Sequence, residues 1–225
     1  MSGRNGTIRG SGRAPILGAL LLALAAAGCS SGSGPSVDPR EKTDEGWAAF
    51  ESGDYAAAAA AFQDAVRADE AFADAWNGLG WSRAFLEQLG DAAMALQKAV
   101  DSGLVVPDAR AGLAIVYREV PHLDGAITEA RAVLAADAHW VFSHMTSVDY
   151  LDIHLVLAQC YYRLGEENFG SAQAQLDILD PDNGLDAGDP GSWTVGSATY
   201  GTYAEALLVA IEQAAAAVGG GSTAG

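Results

Sequence analysis

The hydrophobic positions of this chain fall into three patterns. The first is a single apolar run, Ala14 to Ala27, shorter than the roughly 18 to 20 residues a membrane-spanning helix needs. The second is periodic: Ala58, Ala92 and Ala126 stand at equal intervals, each early in an alanine-rich helical segment. The third lies near the end, where Tyr203, Leu207, Ala210, Ile211 and Ala214 recur on one helical face behind a Thr202/Glu205 capping pair. Between the second and third patterns, Pro181 to Gly191 is dense in turn formers and is expected to be irregular.

The periodic part carries more than alanine. Its clearest copy runs Ala75-Trp76-Asn77-Gly78-Leu79-Gly80, then Ala92, Leu96 and Ala99. An earlier copy from Pro39 has Gly46, Gly53-Asp54-Tyr55, Ala58, Phe62 and Ala65, opened by Asp38 as N-cap, Pro39 in the first turn and Glu41 as a capping-box carboxylate. A third copy from Pro107 has Leu113, Ala114, Tyr117, Leu123 and Ala126, with Pro121 ending its first helix. A looser fourth runs from Leu151 through Leu157, Ala158, Tyr161, Gly165, Phe169, Ala172 and Leu176. In order and spacing the pattern resembles the tetratricopeptide repeat (TPR), whose period is about 34 residues. That resemblance implies an all-α, right-handed superhelical solenoid of antiparallel helical hairpins, closed by a C-terminal capping helix that shields the last repeat.

The copies divide residues 38–180 into repeats at about 39–72, 73–106 and 107–134, an insertion at 135–150, and a divergent repeat at 151–180. A linker and capping helix follow over 181–218, and a disordered tail over 219–225. The insertion holds His139, Trp140, Phe142, His144 and Met145, too apolar for a plain solvent loop, and is expected to pack on the stack.

The start of the chain reads as an address. Residues 1–28 combine Arg4, Arg9 and Arg13 with the apolar run, the pattern of a signal peptide. Its end, Leu24-Ala25-Ala26-Ala27-Gly28-Cys29, resembles the bacterial lipobox, although Ala26 stands where leucine is usual; an ordinary signal-peptidase cut nearby is the alternative. The resemblance implies that Cys29 is lipidated, that 29–37 is a flexible tether, and that the protein is held to the lipid bilayer of a bacterial cell envelope. Ser30 after the cysteine implies the outer membrane in a Gram-negative host.

Charge and chemistry narrow the function. Without residues 1–28 the chain keeps 9 basic against 29 acidic residues, a net charge of −20, which disfavours nucleic acid as a partner. Cys160, beside Leu157, Ala158 and Tyr161, reads as a small core hydrophobe. No phosphate-binding loop occurs: Gly78-Leu79-Gly80 falls inside a helix, and the G-x-S-x-G string at Gly28 to Gly32 spans a cleavage site. The reading is therefore a non-enzymatic binding protein with no cofactor. His139, His144 and His154 offer a weaker metal hypothesis, without paired ligand spacing. Asp180-Pro181-Asp182-Asn183-Gly184 is similar to the opening of a calcium loop, but Gly191 stands where the bidentate glutamate belongs.

Projected onto the chain, the TPR resemblance places Trp47, Phe50, Asn77, Trp81, Phe85, Ile115, Arg118 and Tyr162 on or near the concave face. Trp47 and Trp81 hold the same place in successive repeats, an aromatic track suited to a protein partner's peptide or helix. Unaided tryptophans prefer burial, so cover by the insertion or by the terminal helix is the rival, and with it a structural subunit whose aromatic face is permanently buried.

Overall fold

The computed structural model describes residues 37–103 and 107–220. The signal peptide, Cys29 and the tether up to Ser36 lie outside the described residues, as do 104–106 and 221–225. The described chain forms α1 (Pro39–Glu51), α2 (Tyr55–Ala68), α3 (Ala73–Phe85), α4 (Leu89–Asp101), α5 (Pro107–Glu119), α6 (Leu123–Ala136), α7 (Tyr150–Leu164), α8 (Phe169–Leu179) and α9 (Tyr203–Gly220). Each consecutive pair from α1·α2 to α7·α8 packs as a hairpin, and the first helices α1, α3, α5 and α7 also pack on one another in series. Among the described residues, no helix is long and apolar enough to cross a membrane.

Local chemistry sets the helix ends. Asp38 accepts a hydrogen bond from the Arg40 amide with Pro39 in the first turn, and Asp54 accepts one from the Ala57 amide. Asp149 and Asp152 form a full capping box at the start of α7, satisfying two amides that would otherwise be orphaned. The turn after each of the first three leading helices closes with the same bond: Asp54 N to Ala49 O, Gln88 N to Arg83 O, and His122 N to Tyr117 O. Gly53 enters the left-handed region there (φ 83°), and Glu87, its equivalent in the next repeat, does so without glycine's freedom (φ 59°).

The sequence period is also a structural one. Ala58, Ala92 and Ala126 are each the fourth residue of α2, α4 and α6, and each is completely buried. Four positions after Ala58 and Ala92, the large side chains Phe62 and Leu96 fill the space that glycines leave. A Cβ on Gly46 would lie 2.7 Å from the Phe62 ring and one on Gly78 closer still, so that ring sits between its own repeat and the next. Leu96 repeats the arrangement with Gly80 and Gly112. Close backbone approach and interdigitated side chains thus form one core running through the stack.

Two segments depart from the period. Asp137 to Asp149 forms a loop between α6 and α7, so α6 extends into, and α7 begins within, the insertion read at 135–150. After α8, the side chain of Asn183 holds the turn by donating to Asp177 Oδ1 and Asp180 O while accepting from the Leu185 amide. A short hairpin then follows, β1 (Thr194–Val195) against β2 (Ala198–Thr199), turning at Gly196 (φ 60°). Of the expected Thr202/Glu205 pair, the Glu205 amide donates to Thr202 Oγ1. Helix α9 packs on α7 and α8, burying Leu207 and Ile211 with Ala158, Ala172 and Leu176, and continues into the stretch read as a frayed tail.

Candidate interaction surface

The two tryptophans first do structural work between repeats. Trp47 Nε1 donates to Asp74 Oδ2 at 3.2 Å and Trp81 Nε1 to the Asp108 carbonyl at 3.1 Å; both the donors and the acceptors are equivalent positions of successive repeats. Each indole therefore ties its own leading helix to the first turn of the next, a role outside the repeat's packing motif.

The outer faces of these rings are taken by the loop. Over residues 140–144 the side chains alternate, Trp140 and Phe142 buried and His144 half-buried while Val141 (45% exposed) and Ser143 are exposed, and a turn closed by Met145 N to Phe142 O takes in 143–144. Phe142 is completely buried, stacked on Trp81 and edge-on to Trp47 and Phe50. His144 stacks flat on Trp47 with ring centroids 3.6 Å apart, and its Nδ1 lies 2.9 Å from Glu51 Oε1. Trp140 Nε1 donates to Asp108 Oδ1 at 2.7 Å. The loop's own bonds, Phe142 N to Val148 O and Val148 N to Met145 O, hold its shape.

Trp47, Phe50, Asn77 and Trp81 are thus not an open track: all four are buried. The cover is the insertion and not α9, which packs at the far end on α7 and α8. The physical reason is size. Burying a residue such as Phe142 is worth about 1.5 to 3 kcal/mol and each aromatic pair about 0.5 to 1.5 more, so exposed indoles beside an apolar loop do not stay exposed.

The other four residues named from the sequence remain accessible. Phe85 is 39% exposed and stacks on Tyr55, and with Ala84, Ile115, Val148, Arg118 and Asp152 it lines a cavity of about 250 Å³. Arg118 is shared with a second cavity of about 310 Å³, lined also by Gln159, Tyr162, Arg163 and, from α9, Leu208. Arg118 donates to Gln159 Oε1 at 3.0 Å and pairs with Glu119, and Arg163 donates to the Arg118 carbonyl. Tyr162 stacks on Phe169. Burial pushes the Asp152 carboxyl above its ordinary range, a shift that nearby Arg118 partly offsets. The result is a strip with apolar ends at Phe85 and Leu208 and a charged middle at Arg118.

Sequence reasoning missed Val148, Asp152, Gln159, Arg163 and Leu208, which come from the loop, the late fourth repeat and the capping helix. Only Asp152 had a local signal, its place in a capping box with Asp149.

Other candidates find ordinary partners. A cavity of about 570 Å³, lined by Trp76, Met94 and Lys98, lies where Arg83 donates to Gln63 and Tyr117 to Gln97. Those two bonds join equivalent positions in successive repeats, which marks a seam between them. His139 packs against Tyr150, His144 is held by Trp47 and Glu51, and His154 meets Gln175; among the described residues no three His, Cys, Asp or Glu side chains form a group that could hold a metal. Cys160 is completely buried, and burial pushes its thiol up to about 11.

No known family model matches the chain, and no curated protein sequence matches it. Solved structures do. The chain is similar to YrrB, described as a TPR protein with an unusual peptide-binding site, at 16% identity and a TM-score of 0.56, covering 79% of this chain and 86% of that one. It is similar to the MamA protein at 18% identity and a TM-score of 0.55, covering 80% and 91%. A TPR protein from Parabacteroides merdae matches at 14% identity and a TM-score of 0.51, covering 80% of this chain and 60% of that one. With its helices packed in successive hairpins and α9 across the end, the chain has the fold of a right-handed TPR solenoid with a C-terminal capping helix.

Proposed function

We propose that this protein is a membrane-tethered adaptor of the bacterial cell envelope, anchored through lipidated Cys29 and holding a partner's peptide or helix on the strip from Phe85 through Ile115 and Arg118 to Tyr162. The observation that carries the partner surface is the persistence of exposed apolar side chains there, Phe85 and Leu208, on either side of Arg118, after the loop has covered Trp47, Phe50 and Trp81. Apolar anchors flanking a polar centre suit recognition of a segment better than catalysis. The peptide-binding site named for YrrB supports the same mode by analogy. Lipidation rests on the sequence around Cys29 alone.

Two substitutions test the two halves. Cys29→Ala is expected to abolish palmitate labelling and release the protein from the membrane fraction. Phe85→Glu is expected to leave the melting temperature within a few degrees of the parent and to abolish recovery of a specific partner from crosslinked cells. A labelled, membrane-bound Cys29→Ala protein would overturn the anchor, and undiminished partner recovery by Phe85→Glu would overturn the strip.

Burial of Trp47 and Trp81 under the loop supports a second reading, a structural subunit of an envelope complex. It predicts assembly into a complex that Phe85→Glu does not disturb.

A further inference from the structure

We infer that the groove lined by α6, α7 and α8 is an anion site that takes a soluble phosphate monoester carrying an apolar body. It depends on neither the strip at Phe85 nor Cys29.

The groove has a volume of about 550 Å³, within the roughly 300 to 1,000 Å³ of small-molecule sites. Its lining sets it apart. Arg131 and His154 contribute to it and no carboxylate does, although the chain has 29 acidic residues against 12 basic ones. Four other cavities of the described residues each include a carboxylate: Asp101 in one, Glu119 and Glu212 in another, Asp152 and Glu166 in the remaining two. Acids beside the groove in sequence are engaged elsewhere. Glu129, two residues before Arg131, pairs with Arg110, and Asp177, next to Ile178, accepts from Gln173 and Asn183. Charges farther off than about 8 Å are largely screened at physiological ionic strength, so the local set decides the sign.

The donors are unspent. Among the described residues, the Arg131 guanidinium makes no ion pair or hydrogen bond, and the Tyr161 and Ser171 hydroxyls make no hydrogen bond. Gln175 Oε1 can only accept, so at 2.7 Å it takes the proton on His154 Nδ1 and leaves the N–H pair of its own amide over. A guanidinium, two hydroxyls and an amide, drawn from three helices, suit a group with three strong acceptor oxygens better than a carboxylate with two. Leu134, Leu157 and Ile178, the last 45% exposed, supply an apolar wall for the rest of the molecule. An anionic bilayer repels so acidic a chain, which favours a soluble ester over a lipid headgroup.

The test titrates phenyl phosphate into the full chain and follows backbone amide shifts. Saturable shifts at Arg131, Tyr161 and Ser171 are expected, with half-saturation on the order of 1 mM. Benzamidine, with the same ring and the opposite charge, is expected to leave those amides unmoved. Arg131→Gln is expected to weaken binding about tenfold or more, and Ser171→Ala, on another helix, about threefold. Both positions are exposed, and retained helical circular dichroism checks that the variants fold. Arg67→Gln, which removes an exposed guanidinium on α2, is expected to bind as the parent does. Absence of saturable binding would overturn the inference, as would equal binding by Arg131→Gln and Ser171→Ala, or the same shifts with benzamidine. Capture by phosphatidylglycerol vesicles that is lost in Arg131→Gln, without any response to phenyl phosphate, would overturn it in favour of a lipid headgroup.

Discussion

Phe142 lies almost parallel to the indole of Trp81, 4.3 Å away and 17° out of plane, although the two are separated by most of two repeats of chain. Through that contact the only long insertion between described hairpins becomes part of the core. Phe142→Ala is expected to cost about 3 to 5 kcal/mol of stability by urea denaturation, the range for a buried phenylalanine. Val141→Thr, on the exposed side next door, should stay within about 0.5 kcal/mol. A loss below about 1 kcal/mol for Phe142→Ala would mean the loop is not docked.

Glycine in mid-helix normally loses about 1 kcal/mol to alanine. At Gly78 the sign reverses, because an added Cβ would fall inside the contact distance of the Phe62 ring. Gly78→Ala is expected to destabilise by about 1 to 3 kcal/mol through overpacking, and combining it with Phe62→Leu should recover part of that loss. Gly90, with open space around it, should tolerate alanine without loss. Thermal melts of these variants check the ordering.

Glu87 holds a left-handed conformation that its equivalent, Gly53, adopts freely. Glu87→Gly is therefore expected to stabilise by about 0.5 to 1 kcal/mol despite glycine's unfolded-state entropy. A fall in melting temperature would show that the Glu87 side chain makes up the strain elsewhere.

Burial raises the Asp108 carboxyl above its ordinary range, against the hydrogen bonds from Trp140 and Ser143 that lower it. The folded chain thus holds this proton more tightly than the unfolded one. The stability so contributed is present in full below the unfolded value, about 4, and is lost as pH rises through the folded value. Asp108→Asn keeps an acceptor for Trp140 and removes the titration. The variant should gain on the parent as pH is raised from 4 to 7, and urea midpoints at those two pH values measure the difference.

With its thiol pushed up to about 11 and no exposure, Cys160 is expected to stay unmodified by a thiol reagent at pH 8 until the protein unfolds. Labelling at the rate of a free thiol in the native state would place α7 differently.

The stack was legible because its signals are local and repeated: Ala58, Ala92 and Ala126 mark one position of one helix, and Gly46 and Gly80 another. The family resemblance, projected onto the chain, singled out Phe85, Ile115, Arg118 and Tyr162, and these four side chains are accessible. What the period could not convey was what lies over Trp47 and Trp81. The choice between partner and self-cover depends on contacts such as Trp140 to Asp108 and His144 to Glu51, which join distant stretches of chain with no shared pattern. Leu208 and Asp152 enter the strip from elements outside the regular copies, so spacing gave no reason to bring them to Arg118.

The central claim is that a partner meets the strip the loop leaves open, and a photocrosslinking residue placed in turn at Phe85 and at Met94 in intact cells tests it most directly. Met94 is exposed on α4 outside the strip and serves as the reference. A discrete crosslinked product from position 85 and none from position 94 is predicted. Equal products from both positions, or a product from 94 alone, would contradict the account.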